Sequence, residues 1–239
     1  MLIMQERLDN ISFELDSKSL ATTVRLPLGT DDEKDFNVLL DEARQIAKPK
    51  AFYRECFIKD KGENTVTIDN VSFVSRMLRV NLDKVERVFA CVATCGNELD
   101  MINIPQDDFL NFFWLDNIKA VLLKFSIEHL HEYLNHKYKL GKTASMSPGS
   151  GDAAIWPIEQ QKELFSLFGD VEHFIGVRLT DTCLMIPNKS VSGVCFQTEI
   201  NFHSCQICHR EKCVGRKTPF DPELWKSVNS CPSFDAKRE

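Results

Sequence analysis

Apolar residues recur along the chain at two spacings, and each spacing predicts one kind of element. Steps of three and four residues, which mark one face of a helix, join Phe36, Leu39, Leu40 and Ala43 before Pro49. Helices are also predicted over about 73–80, 105–141 and 157–168. The core stripe of the longest helix is predicted to be Trp114, Ile118, Val121, Leu122 and Phe125.

Runs of β-branched and aromatic residues predict strands between these helices. The predicted strands are 52–58, 65–68, 85–94, 174–184 and 190–197. A turn at Pro187-Asn188 joins the last two. Elements that alternate in type favour an α+β fold, here with a mainly antiparallel, twisted sheet and accompanying helices.

Polar residues mark two of the helix starts. Thr30 and Glu33 form the pattern of a capping box, in which the hydroxyl and the carboxylate each accept a free backbone N–H. The longest helix is predicted to begin near Pro105, because the missing N–H of proline costs nothing in a first turn. Asp107 and Asp108 then lie beside the positive end of the helix dipole.

Composition and charge narrow the class of protein. The 239 residues carry a formal net charge of −6, and the basic residues are spread along the chain, which does not favour nucleic acid as a partner. No stretch approaches the roughly 18 uninterrupted apolar residues of a membrane span. Glu6 and Asp9 interrupt the N-terminus where a signal peptide would be apolar, so we expect a cytoplasmic protein without a membrane partner. The expected parts are an N-terminal segment (1–29), a main domain (30–200) and a Cys-rich extension (201–239).

Two segments are candidate binding sites. The loop 145–152, Ser-Met-Ser-Pro-Gly-Ser-Gly-Asp, combines glycines and hydroxyls that allow backbone N–H groups to approach a ligand. It lacks the spacing of a dinucleotide fingerprint or a phosphate loop, and an ordinary surface connection has the same composition. The strand 190–196, Ser-Val-Ser-Gly-Val-Cys-Phe, has small residues where a ligand or a neighbouring backbone could approach closely, and an ordinary sheet strand packed against a helix has the same pattern.

Three segments together resemble a known family. Residues 175–182 read Ile-Gly-Val-Arg-Leu-Thr-Asp-Thr, residues 185–187 read Met-Ile-Pro, and residues 190–193 read Ser-Val-Ser-Gly. In this order they resemble the activation domain of cobalamin-dependent methionine synthase. The Pro148-Gly149 loop before residues 156–161 is similar to the loop that holds S-adenosylmethionine in that family. The resemblance spans roughly residues 30–200 and implies the same fold.

The resemblance also implies a binding site for S-adenosylmethionine. Its residues would be Ser145, Ser147, Pro148, Gly149, Ser150, Gly151, Asp152 and Cys195. The family's arginine falls on Ser145, its tyrosine on Ser150, and a family aromatic on Cys195. An arginine pairs with a carboxylate and an aromatic face supports a sulfonium, whereas serine does neither. A pocket that lacks both contacts is expected to bind S-adenosylmethionine about 10²–10⁴-fold more weakly, or to bind a different ligand.

A third candidate site lies in the extension, where Cys205, Cys208 and Cys213 fall within nine residues. Two cysteines three apart reach one metal from a single turn, and a third completes a face of a tetrahedral site. The candidates for a fourth ligand are Cys231, our first choice, and Cys195, His203 and His209. The pattern suits zinc or an iron–sulfur cluster, and free or redox-active thiols are the competing interpretation.

Together these features resemble stand-alone activation-domain proteins with a Cys-rich C-terminal extension. The main hypothesis is reductive reactivation of a corrinoid methyltransferase, which carries the cobalamin, with S-adenosylmethionine as methyl donor and an electron donor as a further partner. Whether this chain is itself an enzyme is left open. The alternatives are a non-catalytic module that docks on a corrinoid protein, with a structural zinc or iron–sulfur site, and a cysteine-based redox sensor.

Overall fold

The computed structural model describes residues 4–27, 29–150, 155–199, 203–213 and 216–229. The helices are α1 (Ser17–Thr23), α2 (Asp31–Ile46), α3 (Arg76–Asn81), α4 (Phe109–Tyr138), α5 (Gln161–Phe168), α6 (Val171–Ile175) and α7 (Pro222–Asn229). The strands are β1 (Gln5–Leu8), β2 (Lys50–Lys61), β3 (Thr65–Ile68), β4 (Val71–Val74), β5 (Arg87–Thr94), β6 (Thr143–Met146), β7 (Arg178–Leu179), β8 (Met185–Ile186) and β9 (Ser190–Gln197). Short 3₁₀ turns cover Glu98–Met101, Ile158–Gln160 and Ser204–Ile207.

Within the described ranges, seven strands form one sheet, in the order β4-β3-β2-β5-β9-β6 with β1 paired to β2. The pair β7-β8 forms a separate two-stranded sheet. The β2–β3 and β6–β9 pairs are antiparallel, with Ile58 opposite Ile68 and Ser145 opposite Cys195. The predicted α+β class with antiparallel pairing is confirmed. None of the helices in the described part of the chain is both long enough and apolar enough to cross a bilayer.

The chain divides into two compact units, each built from several sequence segments. The first comprises Met1–Tyr53, Cys91–Lys139 and Gly169–Ser192, and the second comprises Arg54–Ala90, Leu140–Phe168 and Gly193–Glu239. The candidate loop and the clustered cysteines therefore belong to the second unit. The boundaries expected at residues 30 and 201 stay a prediction.

The core of the first unit forms where α2 packs on α4. Phe36 meets Trp114 edge to face, with ring centroids 5.5 Å apart. Trp114, Ile118 and Leu122 are buried as the predicted stripe requires, and Val121 and Phe125 are half-buried. Each large apolar side chain that leaves water here stabilises the fold by about 1.5–3 kcal/mol.

A polar cluster joins β1 to α4 in the first unit. The Lys137 ammonium donates to a Glu6 carboxylate oxygen at 2.5 Å and to the Tyr53 hydroxyl at 2.7 Å, and Tyr133 donates to Glu6 at 2.7 Å. The rings of Tyr53, Tyr133 and Tyr138 lie 5.5, 5.5 and 5.6 Å from the ammonium, within cation–π range. The hydrogen bond to Glu6 raises the pKa of Lys137. Partial burial raises the pKa of Glu6, but the hydrogen bonds from Lys137 and two tyrosines outweigh it and the net shift is downward.

The core of the second unit brings α5 against β4. Phe73 meets Trp156 edge to face at a centroid distance of 5.8 Å, and Leu164 is fully buried. The side-chain amide of Gln160 accepts from the N–H and donates to the carbonyl of Val74, both at 2.8 Å. Gln160 thus supplies the hydrogen bonds that the edge strand β4 would otherwise leave unpaired.

The single helix predicted over 73–80 is wrong, because two elements occupy this segment. β4 ends at Val74 and α3 begins at Arg76. Ser75 separates them, since its hydroxyl oxygen accepts the backbone N–H of Leu78 at 3.1 Å and caps the helix. Serine is a common N-cap residue, so Ser75 could have indicated the start of a helix. The spacing of the apolar residues on both sides of it instead indicated one continuous helix.

The strand predicted over 174–184 is wrong for most of its length. α6 occupies its first residues, with the Asp170 carboxylate accepting a backbone N–H of the first turn at 3.0 Å. Gly176, at a φ of +73°, ends the helix. β7 then contains only two residues. Asp170 and Gly176 therefore cap a short helix at its two ends, although the apolar residues between them favour a strand.

The predicted helix starts are shifted. α4 begins at Phe109 instead of near Pro105, because the Asp108 carboxylate accepts a backbone N–H from the first turn at 3.0 Å. At α2 the capping box does not form. The Glu33 carboxylate accepts the N–H of Gly29, and the Thr30 hydroxyl donates to a backbone carbonyl.

Candidate functional site

The first two residues of the candidate loop belong to β6, and the residues after Met146 form a tight turn. The N–H of Gly149 donates to the carbonyl oxygen of Trp156 at 2.7 Å, and the N–H of Ser150 donates to that of Ser147 at 3.1 Å. Gly149 has a φ of +74°, and a Cβ there would meet a neighbouring side chain at 2.8 Å, so glycine is needed on both counts. Pro148 is buried, whereas Gly149 and Ser150 are exposed. The turn therefore presents backbone and a hydroxyl to solvent.

The loop lies against the strand that contains the Ser-Val-Ser-Gly sequence. A Cβ on Gly193 would lie 2.5 Å from the carbonyl oxygen of Met146 and 2.6 Å from Ser147 Oγ. No side chain fits at these distances, so glycine allows β9 to approach the start of the loop. The Pro-Gly loop and the end of the Ser-Val-Ser-Gly strand, both part of the family resemblance, thus meet in the second unit.

Two of the predicted site residues are partners across the β6–β9 pair. Ser145 lies opposite Cys195, and such partners point to the same face of a sheet. Ser145 is exposed, whereas Cys195 is only 2% exposed. Burial raises the pKa of the Cys195 thiol to about 12, although a hydrogen bond with Thr143 acts in the opposite direction. Ser145 is therefore the member of the pair that is open to solvent.

Trp156 is a residue beside the loop that the sequence reasoning missed. Its carbonyl holds Gly149, and its side chain is 1% exposed. The indole N–H is buried and has no hydrogen-bond partner in the described structure. An unpaired buried donor costs about 1–3 kcal/mol, and the described residues supply no acceptor for this one. The sequence shows a tryptophan here, but no pattern shows that its N–H is unpaired.

Six of the eight predicted ligand-binding residues are thus placed by the structure. Ser145, Ser147, Pro148, Gly149 and Ser150 lie on β6 and the turn after it, and Cys195 lies on the neighbouring strand. Gly151 and Asp152 lie outside the described residues. Their predicted roles, and the ligand itself, stay predictions.

The clustered cysteines begin in the 3₁₀ turn of residues 204–207. Cys205 and Cys208 are half-buried and Cys213 is exposed. The Arg216 guanidinium donates to the carbonyl oxygens of Cys205 and Cys208 at 3.0 and 3.1 Å. The N–H of Lys217 donates to Cys205 Sγ at 3.4 Å. Hydrogen bonds to cysteine sulfur are one means by which proteins tune iron–sulfur clusters, so this donor suits a ligating sulfur.

The predicted metal site is not assembled in the described part of the chain. No three His, Cys, Asp or Glu side chains there are arranged to hold a metal ion. His209, an alternative fourth ligand, packs its ring 4.5 Å from Phe220 and 4.7 Å from Trp225. Cys231, the first choice, lies outside the described residues. A zinc or iron–sulfur site therefore stays a prediction.

Comparison with known proteins agrees with the resemblance. Residues 126–214 match the family described as vitamin B12 dependent methionine synthase, activation domain, a range that includes the candidate loop and the three clustered cysteines. No curated protein matches the chain significantly. The crystal structure of the MetH reactivation domain bound to AdoHcy has a similar fold, with a TM-score of 0.54 and 15% sequence identity over 84% of this chain and 80% of that one. The chain therefore has the activation-domain fold, and its C-terminal half resembles that family in sequence.

Proposed function

We propose that this protein reactivates a corrinoid methyltransferase and uses S-adenosylmethionine as the methyl donor. The observation on which the proposal depends is the close approach of Gly193 to Met146 and Ser147, because it joins two parts of the family resemblance in one place. The match over residues 126–214 and the similar fold support the same assignment.

The chemistry of such a rescue divides between the partner and this chain. A corrinoid methyltransferase in the Cob(II) state needs one electron from a donor and one methyl group from S-adenosylmethionine, which departs as S-adenosylhomocysteine. The cobalamin of the partner supplies the reactivity, and this chain supplies position and electrostatics. The exposed polar side chains it offers at the turn are Ser145 and Ser150, each with a hydroxyl.

The clustered cysteines of the C-terminal extension would contribute to reactivation in one of two ways. Cys205, Cys208 and Cys213, with Cys231 as the fourth ligand, would hold an iron–sulfur cluster that delivers the electron, or a zinc ion that stabilises the extension. Anaerobic purification followed by iron, sulfide and zinc analysis separates these roles. Iron with sulfide and broad visible absorption indicates a redox centre, and one zinc per chain without colour indicates a structural site.

Calorimetric titration with S-adenosylmethionine tests the donor role. We expect measurable binding that S-adenosylhomocysteine competes away and that Ser150→Leu abolishes, because leucine removes the exposed hydroxyl and can neither donate a hydrogen bond nor support a sulfonium as the tyrosine of the family does. Ser166→Leu, at an exposed position on α5 outside the turn, is the matched control and leaves binding unchanged. Absence of both heat and a shift in melting temperature with excess S-adenosylmethionine would contradict the donor role.

A second candidate function is a docking module that binds a corrinoid protein without a methyl donor. Ser145, Ser150 and Cys195 favour it, since none of them supplies the arginine or the aromatic rings that the family has at these positions. A pull-down with a purified corrinoid protein, with and without S-adenosylmethionine, separates the two functions. A docking module binds equally in both conditions, whereas a donor-presenting protein responds to the ligand.

A further inference from the structure

The start of α4 and the 3₁₀ turn before it expose a dense group of apolar side chains. Met101, Phe109 and Phe113 are 80%, 79% and 50% exposed, and Leu110 and Phe112 are each 44% exposed. These five residues are called the apolar patch. Single exposed apolar residues are ordinary, but five within thirteen residues, three of them aromatic, are a concentration typical of interaction sites.

The core of the first unit packs against the opposite side of α4 from the apolar patch. Trp114, Leu115 and Ile118 on the inward face are at most 5% exposed and belong to the core. The apolar patch continues the apolar surface around the opposite side. A helix that is apolar on all sides is buried or forms an interface, so this end of α4 has the character of a helix that a partner covers.

The charged residues in the stretch of sequence that contains the apolar patch are all acidic, and lysines from outside that stretch pair with two of them. From Asp100 to Asp116 the sequence has four aspartates and no Lys, Arg or His. Asp100 pairs with Lys119, and Asp116 pairs with Lys189 at 2.8 Å.

The other two aspartates lie next to the aromatic residues. Asp107 and Asp108 have no cationic partner in the described structure, so their charges are free to attract an external cation. Hydrogen bonds from Asn111 lower the pKa of Asp108, which keeps that carboxylate ionised.

We propose that the apolar patch is a docking surface for a basic amphipathic helix of a partner protein. Its apolar stripe would cover the three phenylalanine rings, and its Lys or Arg side chains would meet Asp107 and Asp108. The negative charge of Asp107 and Asp108 disfavours the two other partners that could cover an apolar surface, a second copy of this chain and a membrane. A second copy of the same surface would bring like charges together, and an anionic membrane would be repelled. The proposal stands independently of the proposed function.

A synthetic Leu/Lys peptide of about five helical turns, with leucines at helical spacing, is a suitable probe for the full-length protein. Its twin has glutamates in place of the lysines. Fluorescence anisotropy measures both affinities for wild type, for Phe109→Ser with Phe113→Ser, and for Asp107→Lys. Val38→Ser is the matched control, because Val38 is 68% exposed on α2 outside the apolar patch. Melting curves verify that each variant folds.

We expect the Leu/Lys peptide to bind and the glutamate twin to bind at least tenfold more weakly. The double serine variant should lose at least tenfold in affinity for the Leu/Lys peptide, Asp107→Lys about threefold, and Val38→Ser nothing. Equal binding by the double serine variant, or no binding of the Leu/Lys peptide to wild type, overturns the proposal. Concentration-dependent self-association or binding to anionic vesicles that the serine changes abolish would also overturn it, in favour of a second copy or a lipid surface.

Discussion

Ser145 and Cys195 lie directly opposite each other in the antiparallel β6–β9 pair, one exposed and the other 2% exposed. The resemblance assigned the arginine of the family to the first position and an aromatic residue to the second. Their pairing places two residues that are far apart in sequence side by side on one face of the sheet. It also means that only Ser145 has room for a larger side chain without repacking the sheet.

Restoring the family residues at the exposed positions should therefore raise affinity for S-adenosylmethionine. We expect Ser145→Arg with Ser150→Tyr to bind at least tenfold more tightly, because a guanidinium pairs with the carboxylate and a ring supports the sulfonium. Calorimetry measures the change, and Ser166→Arg controls for added charge alone. An unchanged or weaker affinity in the double variant would mean that this turn is not the binding site.

Gly193→Ala should destabilise the protein, because its Cβ would press on the Met146 carbonyl oxygen at 2.5 Å. We expect the free energy of unfolding to fall by about 1–3 kcal/mol, measured by urea denaturation. Gly62→Ala is the control, since its Cβ meets only the side chain of Thr65. If Gly193→Ala costs no more than the control, the close approach of β9 to the loop is not tight.

The cysteines should differ sharply in reactivity. Burial raises the pKa of Cys56, Cys95 and Cys195 to about 12, so at pH 8 only about one in 10⁴ of these thiols is ionised. In protein freed of metal with a chelator, exposed Cys213 should be alkylated first by iodoacetamide, and the three buried thiols only after denaturation. Peptide mass spectrometry follows each site. Labelling of Cys195 as fast as Cys213 in the native protein would contradict the buried β6–β9 pairing.

The Glu6–Lys137 pair should make stability depend on pH in a defined direction. The pKa of Glu6 is lowered from 4.5, so its contribution is complete above that value and is lost as pH falls through the lower folded pKa. The pKa of Lys137 is raised from 10.5, so its contribution is complete below that value and is lost as pH rises through the higher folded pKa.

Lys137→Met should therefore lower the free energy of unfolding by about 0.5–1 kcal/mol at pH 7, an amount kept small by the partial exposure of both groups. Urea denaturation from pH 3 to pH 7 measures the difference from wild type, which should shrink below pH 4.5. Glu6→Gln should remove most of the pH dependence of that difference. A difference that grows on acidification would show that the ion pair does not act in this way.

Sequence pattern predicted the elements whose periodicity comes from core packing. The apolar spacing located α2 and α4, and the bounds of β9 agree with the prediction at both ends. The errors at 73–80 and 174–184 arose where single capping groups, Ser75 and Asp170, redirected the backbone against the apolar pattern. Caps act through one hydrogen bond, so a window that sums propensity misses them.

Some features of the candidate site could also be predicted from the sequence, and others could not. The resemblance put the Pro148-Gly149 loop and Cys195 in one binding site, which stays a prediction. The structure shows that Gly193, two residues before Cys195, lies close to Met146 and Ser147 at the start of the loop. The burial of Cys195 and the unpaired indole N–H of Trp156 depend on neighbours from distant parts of the chain. No local pattern predicts such properties, since they arise only on folding.

The most direct test of the proposed function is reactivation of a purified corrinoid methyltransferase held in the Cob(II) state. The assay contains an electron donor and S-adenosylmethionine carrying a labelled methyl group, with and without this protein. The account predicts that label reaches the corrinoid only when this protein is present, with one S-adenosylhomocysteine formed per methyl transferred, and that Ser150→Leu prevents it. Equal labelling without the protein, or binding to the corrinoid protein with no transfer, would contradict it.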